Sequence, residues 1–279
     1  MTALQGAGLG LRREMLDMVL GQTAPSIDFF EVAPENWLPF GGSLQKKFRQ
    51  LTEQHRFICH GLSLSIGSPD PLDLVFVKQV KQFLKQHNIG LYSEHLSYCS
   101  AGGHLYDLMP IPFTEEAVSY VAARIRQVQD ILERPLVLEN VSYYAAPGQQ
   151  MSEVEFTLAV LQQADCQLLL DVNNIYVNSV NHGYDASTFL AAMPSARIAY
   201  YHIAGHYREA EDLLIDTHGS AVIEPVWQLL QQAYQLHGVK PTLLERDFNI
   251  PAFAVLQQEL NQIKQLQQQS SEYHAVRRA

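Results

Sequence analysis

Six short runs of strand-forming residues each end on a side chain able to bind a metal ion. Phe57–Cys59 leads to His60, Leu91–Glu94 to His95, Leu136–Leu138 to Glu139, Leu168–Leu170 to Asp171, Ala199–Tyr201 to His202 and Thr242–Leu244 to Glu245. An almost unbroken apolar run is the signature of a parallel strand covered on both faces. A charged residue directly after it stands at the strand's carboxyl end, where α/β folds build their sites. Repetition of the pattern at strand after strand constrains fold and function together.

Between these runs the apolar spacing is helical. The spacing predicts helices from about 43 to 55, on the stripe Leu74, Val77, Val80 and Leu84, and on Val118, Val121, Ile125, Val128 and Leu132. Asp70 with Pro71 is expected to open the second of these, and Thr114 the third. Ser152 with Glu155 forms a capping box for the next helix. Asp185 opens a short helix, another spans about 223 to 237, and the last starts at Pro251. With Gly6–Leu11 and Ile27–Val32 as the first two strands and Arg12–Leu20 as the first helix, eight strands alternate with eight helices, roughly 35 residues per unit. The fold expected is one α/β domain, a single (β/α)8 TIM barrel over 1–268 with its site at the strand C-termini, followed by a flexible tail over 269–279. A doubly wound sheet would gather its ligand-type residues at one switch point, whereas here they end each strand from the third to the eighth. Two connections are long, 97–112 and the one carrying Asp216–Gly219, and long loops in compact domains tend to be functional.

Charge narrows the partners. The 19 basic and 29 acidic residues give a net charge of −10, a surface unsuited to nucleic acid. The first residues lack the apolar core of a signal peptide, and no apolar run reaches the ~18 residues of a membrane span, so a soluble, cytoplasmic protein is expected. Three cysteines without CxxC spacing argue against a disulfide framework. Cys59 and Cys166 are expected to pack as small apolar residues, and Cys99, in a loop, is the one candidate for reactivity.

Seven of the eleven histidines, His60, His95, His104, His182, His202, His206 and His218, fall at expected strand ends or in the loops that leave them. His55, His87 and His237 fall at helix C-termini, where an imidazole complements the helix dipole. Any one strand-end histidine or carboxylate is ordinarily just a hydrogen-bonded polar group. The series is different, because Glu139, Asp171 and Glu245 together at one barrel mouth need compensating positive charge, each costing several kcal/mol without it. Imidazoles among carboxylates suit divalent metal, and an all-nitrogen-and-oxygen donor set favours iron, manganese, zinc or magnesium over Cu(I) or an iron–sulfur cluster. More ligands than one ion takes imply about two or three ions around a shared carboxylate.

Specific stretches carry a resemblance. LSLSIGSPDPLD (62–73), LYSEHLSY (91–98), LVLENVSYY (136–144), LLLDVNNIYVN (168–178), YYHIAGH (200–206) and DTHG (216–219) resemble the multinuclear non-heme iron-dependent oxidative enzymes of the MbnB and TglH type, within the xylose-isomerase-like barrels. The resemblance implies that His60, His95 and Glu139 hold one ion. Glu139 would bridge to a second ion on Asp171, His202 and Glu245, and Asn174, Asp216 and His218 would hold a third. Asn174 stands where the related endonuclease IV pattern has a histidine, which implies partial occupancy of that third position. The resemblance further implies two or three iron ions, O2 as co-substrate, and a cysteine-bearing, ribosomally made precursor peptide presented by a partner protein. Asp107 and Arg246 are candidates to contact the peptide or to support the metal ligands. Two other classes fit the same residues: a zinc, manganese or magnesium hydrolase or sugar isomerase of the xylose-isomerase or endonuclease IV type, and a non-catalytic metal- or peptide-binding protein.

Overall fold

The computed structural model describes residues 4–21 and 27–278, with side chains as far as Tyr273. The chain begins β1 (Ala7–Gly10), α1 (Leu16–Leu20), β2 (Phe29–Val32), α2 (Gly42–Gln54), β3 (Phe57–Gly61) and α3 (Leu74–Gln86). It continues β4 (Tyr92–His95), β5 (Ser97–Ser100), β6 (His104–Pro110), α4 (Glu115–Leu132), β7 (Val137–Glu139) and α5 (Glu153–Ala164). Then come β8 (Gln167–Asp171), α6 (Val172–His182), α7 (Ala186–Ala192) and β9 (Ile198–Ile203). The chain ends with β10 (Tyr207–Ala210), β11 (Leu213–Ile215), α8 (Glu224–His237), β12 (Thr242–Leu244) and α9 (Phe253–Arg278). Eight parallel strands close into a barrel in the order β1-β12-β9-β8-β7-β4-β3-β2. It is the (β/α)8 barrel that the apolar runs predict.

The chain groups into two compact units, Met1–Glu31 with Gln54–Phe57 and Leu170–Ala279, and Val32–Glu53 with Ile58–Leu169. In the first, β1 pairs with β2 on one side and β12 on the other, and β12 pairs with β9 so that Leu243 lies beside His202. Gly8 is required there, because an added Cβ would collide with the Phe29 ring. Leu256, Leu260 and Ile263 of α9 and Val226, Leu230 and Ala233 of α8 are fully buried. At roughly 1.5–3 kcal/mol for each large aliphatic side chain, that burial anchors both helices to the strands.

In the second unit, β3, β4, β7 and the start of β8 pair in register, with His60 beside Ser93, Gly61 beside Glu94 and His95 beside Glu139. Val77, Val80, Phe83 and Leu84 of α3 and Val121, Ile125, Val128 and Leu132 of α4 form the apolar faces that cover these strands.

Four local expectations change. The long connection after β4 is a hairpin of β5 and β6, and the one after β9 a hairpin of β10 and β11. The stretch Asp171–Asn174 is a helix start: Asp171 caps α6 by accepting from the Asn174 N–H at 2.6 Å, and His182 closes that helix. Asp73, accepting from Val75 and Phe76 N–H at 2.9 Å each, caps α3, while the Asp70 carboxylate takes the Gly102 N–H at 2.8 Å. The last helix begins at Phe253, two residues after Pro251, and is helical to Arg278, through most of the stretch read as a tail.

Ser152 and Glu155 form the reciprocal capping box expected of them, with Glu155 N–H on Ser152 Oγ at 3.2 Å and Ser152 N–H on Glu155 Oε2 at 2.8 Å. Ser152→Ala removes one acceptor of the pair and should lower stability by about 1 kcal/mol, read as a fall in denaturant midpoint. An unchanged midpoint would show that α5 is held by packing alone.

Candidate metal-binding clusters

β-pairing in the second unit puts three donors at one point. His60 Nε2 lies 2.9 Å and His95 Nε2 3.3 Å from Glu139 Oε2, and the two imidazole nitrogens are 3.2 Å apart. The other ring nitrogens settle the tautomers. His95 Nδ1 lies 2.9 Å from the Gly61 carbonyl, which only accepts, so the proton is on Nδ1. His60 Nδ1 lies 2.8 Å from Ser93 Oγ, whose own proton goes to the Cys59 carbonyl at 3.2 Å, so His60 Nδ1 also donates. In their neutral forms both rings therefore carry the lone pair on Nε2, and both Nε2 atoms face a buried carboxylate oxygen. Nitrogen lone pairs and a carboxylate converge where a cation would relieve their repulsion, with outer partners fixing each ring as in known metal sites.

Two further carboxylates stand behind this trio. Glu94 Oε1 accepts from the Leu64 N–H and the Tyr92 hydroxyl at 2.9 Å each, and Glu35 Oε1 accepts from Leu62 and Ser63 N–H at 2.6 and 2.7 Å. Burial, with Glu94 nearby, pushes Glu35 up to about 6. Together they grip three successive amides just past Gly61, whose carbonyl orients His95.

In the first unit His202 is the centre. Its Nε2 lies 3.1 Å from Glu31 Oε2, which also accepts from the Tyr200 hydroxyl at 2.9 Å. Its Nδ1 faces Glu245 Oε2 at 3.1 Å and Asp171 Oδ2 at 3.8 Å. Glu31 thus orients the ring, and Nδ1, Asp171 and Glu245 form a nitrogen-and-carboxylate donor set. Beyond it His218, Glu245 and Asp247 offer donors within 4.8 Å of one another, and His218 Nε2 lies 2.7 Å from Asp216. Arg12 pairs with Asp247 and stands 3.6 Å from Glu245.

Asn174 is buried on the first turn of α6, and its neighbour Asn173 makes the side-chain links, to His206 Nδ1 and to Asp216, at 2.8 Å each. Arg246 is turned to Glu259 at 2.7 Å, both buried. Asp107 and His104 are exposed on β6, and Cys99 is buried with its thiol pushed up by that burial. Sequence reasoning passed over Glu31, Asp247, Arg12 and Ser93. Glu31 had the same signal as the others, an apolar strand ending on a carboxylate.

A family model described as RiPP precursor modification enzyme MbnB/TglH/ChrH matches residues 6–268. The chain belongs to this family. Relatives at this level carry only the name UPF0276 protein: one of Shewanella loihica is 69% identical, covering 92% of each chain, and one of Shewanella sediminis is 67% identical, covering 93% and 94%. A xylose isomerase-like TIM barrel protein from Mycobacterium smegmatis, solved in complex with magnesium, has a TM-score of 0.61 at 13% identity, covering 97% of this chain and 99% of that one. At that identity the likeness concerns the fold.

In this family member the ligand-type residues also govern one another's charge. Burial alone would push His202 down, but Glu31 and Glu245 on either side raise it well above its ordinary value. His218, also depressed by burial, is raised to about 10 by Asp216 and Glu245. Burial would raise Glu245, but His218 and His202 hold it well below 4.5. In metal-free protein protons on the two imidazoles therefore stand where metal charge would. Raised histidines contribute stability that is complete below about 6.5 and lost as pH rises toward 10, and the depressed Glu245 contributes above about 4.5. The melting temperature of metal-free protein should therefore fall as pH rises from about 6.5 toward 10. Metal loading should release protons and remove that slope. A metal-free melting temperature flat over this span would sink the assignment.

Proposed function

We propose that the chain is a multinuclear non-heme iron oxidase that uses O2 to modify cysteine in a ribosomally made precursor peptide. Membership in a family of precursor-peptide modification enzymes supports the substrate class. The observation that carries the metal reading is the pair of imidazoles, His60 and His95, with both Nδ1 atoms held by fixed partners and both Nε2 atoms turned to Glu139. Donors of this kind fit iron in a site with open positions. Bound iron supplies one-electron chemistry and places for O2 and a thiolate.

The chain's own residues hold and orient. His60, His95 and Glu139 would hold one ion, Asp171, His202 and Glu245 would hold a second with Glu139 as the shared ligand, and Asp216, His218 and Asn174 a third, with Asp247 added beside His218. Ser93, the Gly61 carbonyl and Glu31 fix the three rings, so the donors do not reorganise when metal enters. Arg246, locked to Glu259, is a strut beneath Glu245, and Asp107, exposed on β6, is placed to meet the peptide. A partner protein presenting that peptide and a cytoplasmic location complete the reading; no helix among the described residues is long and apolar enough to cross a membrane.

The magnesium of the Mycobacterium barrel favours a second reading, an O2-independent hydrolase or isomerase using zinc, manganese or magnesium. Elemental analysis and EPR of anaerobically purified protein separate the two. About two or three irons per chain are expected, with oxygen uptake on adding a cysteine peptide. Glu139→Ala should empty two positions and His218→Ala only the third. Protein expressed with ample iron that carries none, or that turns over fully without oxygen, overturns the oxidase reading.

A further inference from the structure

Away from the metal-type donors, the loop leaving β3 builds a second polar site. Ser63, Ser65, Ser68, Asp73, Ser100 and Arg124 line a cavity of about 70 Å³. Arg124, on α4, is its one cationic side chain and is only 9% exposed. Its guanidinium donates to the Asp70 carbonyl and the Tyr120 hydroxyl at 2.8 Å each and to the Ser65 carbonyl at 3.4 Å. All three acceptors are neutral. Its Nε has no hydrogen-bond partner, and no carboxylate lies within ion-pair distance of it among the described residues. Burial pushes Arg124 below its ordinary value. The Asp70 charge acts on Arg124 at longer range, but every hydrogen-bond partner of this buried cation is neutral.

Four acids lie nearby, and each holds backbone amides: Glu35 and Glu94 take those of Leu62, Ser63 and Leu64. Asp70 takes the Gly102 N–H at 2.8 Å, and Asp73, which lines the cavity, takes the two first-turn amides of α3. Counting protons sharpens the imbalance. Ser68 donates to the Ser100 carbonyl at 2.7 Å, and Ser100 shares one proton between Ser65 and Ser68 at 3.0 and 3.2 Å. Ser65 Oγ accepts from the Cys99 N–H at 2.9 Å, which leaves its own proton to donate. Ser63, exposed at the rim, brings another donor. The Ser63 and Ser65 hydroxyls and the Arg124 guanidinium thus bring donors to a cavity whose one carboxylate, Asp73, holds the first-turn amides of α3.

We propose that this niche binds a small oxyanion, a carboxylate or a phosphate, on Arg124 with the Ser63 and Ser65 hydroxyls. Charge-assisted bonds from a guanidinium and hydroxyls are the ordinary means of holding such a group. The assignment stands on the niche alone and does not depend on the metal reading. Isothermal titration of the full chain with inorganic phosphate and with acetate, at ionic strength fixed by chloride, tests it. Saturable one-site binding is expected. Arg124→Gln should weaken it by about tenfold or more, and Ser63→Ala, at an exposed position that leaves the fold intact, by about threefold or more. Glu139→Ala should leave the anion affinity unchanged. Phosphate and acetate competing for one site would mark a general oxyanion site, and binding of only one would name its source. No saturable binding by either anion, undiminished binding in Ser63→Ala, or loss of binding in Glu139→Ala overturns the proposal.

Discussion

Two imidazole nitrogens and a carboxylate oxygen held within hydrogen-bond distance of each other need a proton or a cation among them, and the second unit keeps them together. Parallel register sets His95 beside Glu139 and His60 beside Ser93. Hydrogen bonds on the far side of each ring then remove the freedom to rotate or change tautomer. The strands that carry the three donors have apolar residues that are almost completely buried. Preorganisation of this kind is what a metal site needs, because ligands already in place do not have to be ordered when the ion arrives.

The first unit solves a related problem by alternating charge. Glu31, His202, Glu245, His218 and Asp216 follow one another as acid, base, acid, base, acid, with neighbours 2.7–3.5 Å apart. Without metal the chain holds its buried acids by protonating the histidines between them. Asp171 has a second task, since one of its oxygens caps α6 while the other faces His202. A single carboxylate thereby ties the dipole end of a helix to the donor set.

Much of this was legible in the sequence because buried parallel strands are read from unbroken apolar runs, and residues such as His60, Glu139, Asp171 and His202 follow such runs directly. What escaped did so for physical reasons. Glu31 ends a run of the same kind, but the phenylalanines before it have no histidine nearby to draw attention. Asp247 lies three residues past β12, and only the fold brings it to His218. The two hairpins were hidden in loops because one strand of each, β6 and β10, is mostly exposed: Tyr106 is 99% exposed, so apolar alternation does not mark them. Choosing Asp70 over Asp73 as a helix cap failed because both precede a helix at similar spacing and sequence does not say which one another amide will claim.

Gly61 is the smallest element of this design. A Cβ there would collide with Glu94 Oε1 and the Tyr92 hydroxyl, and the same residue's carbonyl fixes His95. Position 61 is therefore not free to vary by itself. A methyl group at 61 becomes tolerable only if both the carboxylate at 94 and the hydroxyl at 92 give way, which in turn releases the Leu64 amide. The constraint runs one way: a side chain at 61 demands change at 92 and 94, whereas a glycine there leaves both free to keep their hold on the loop.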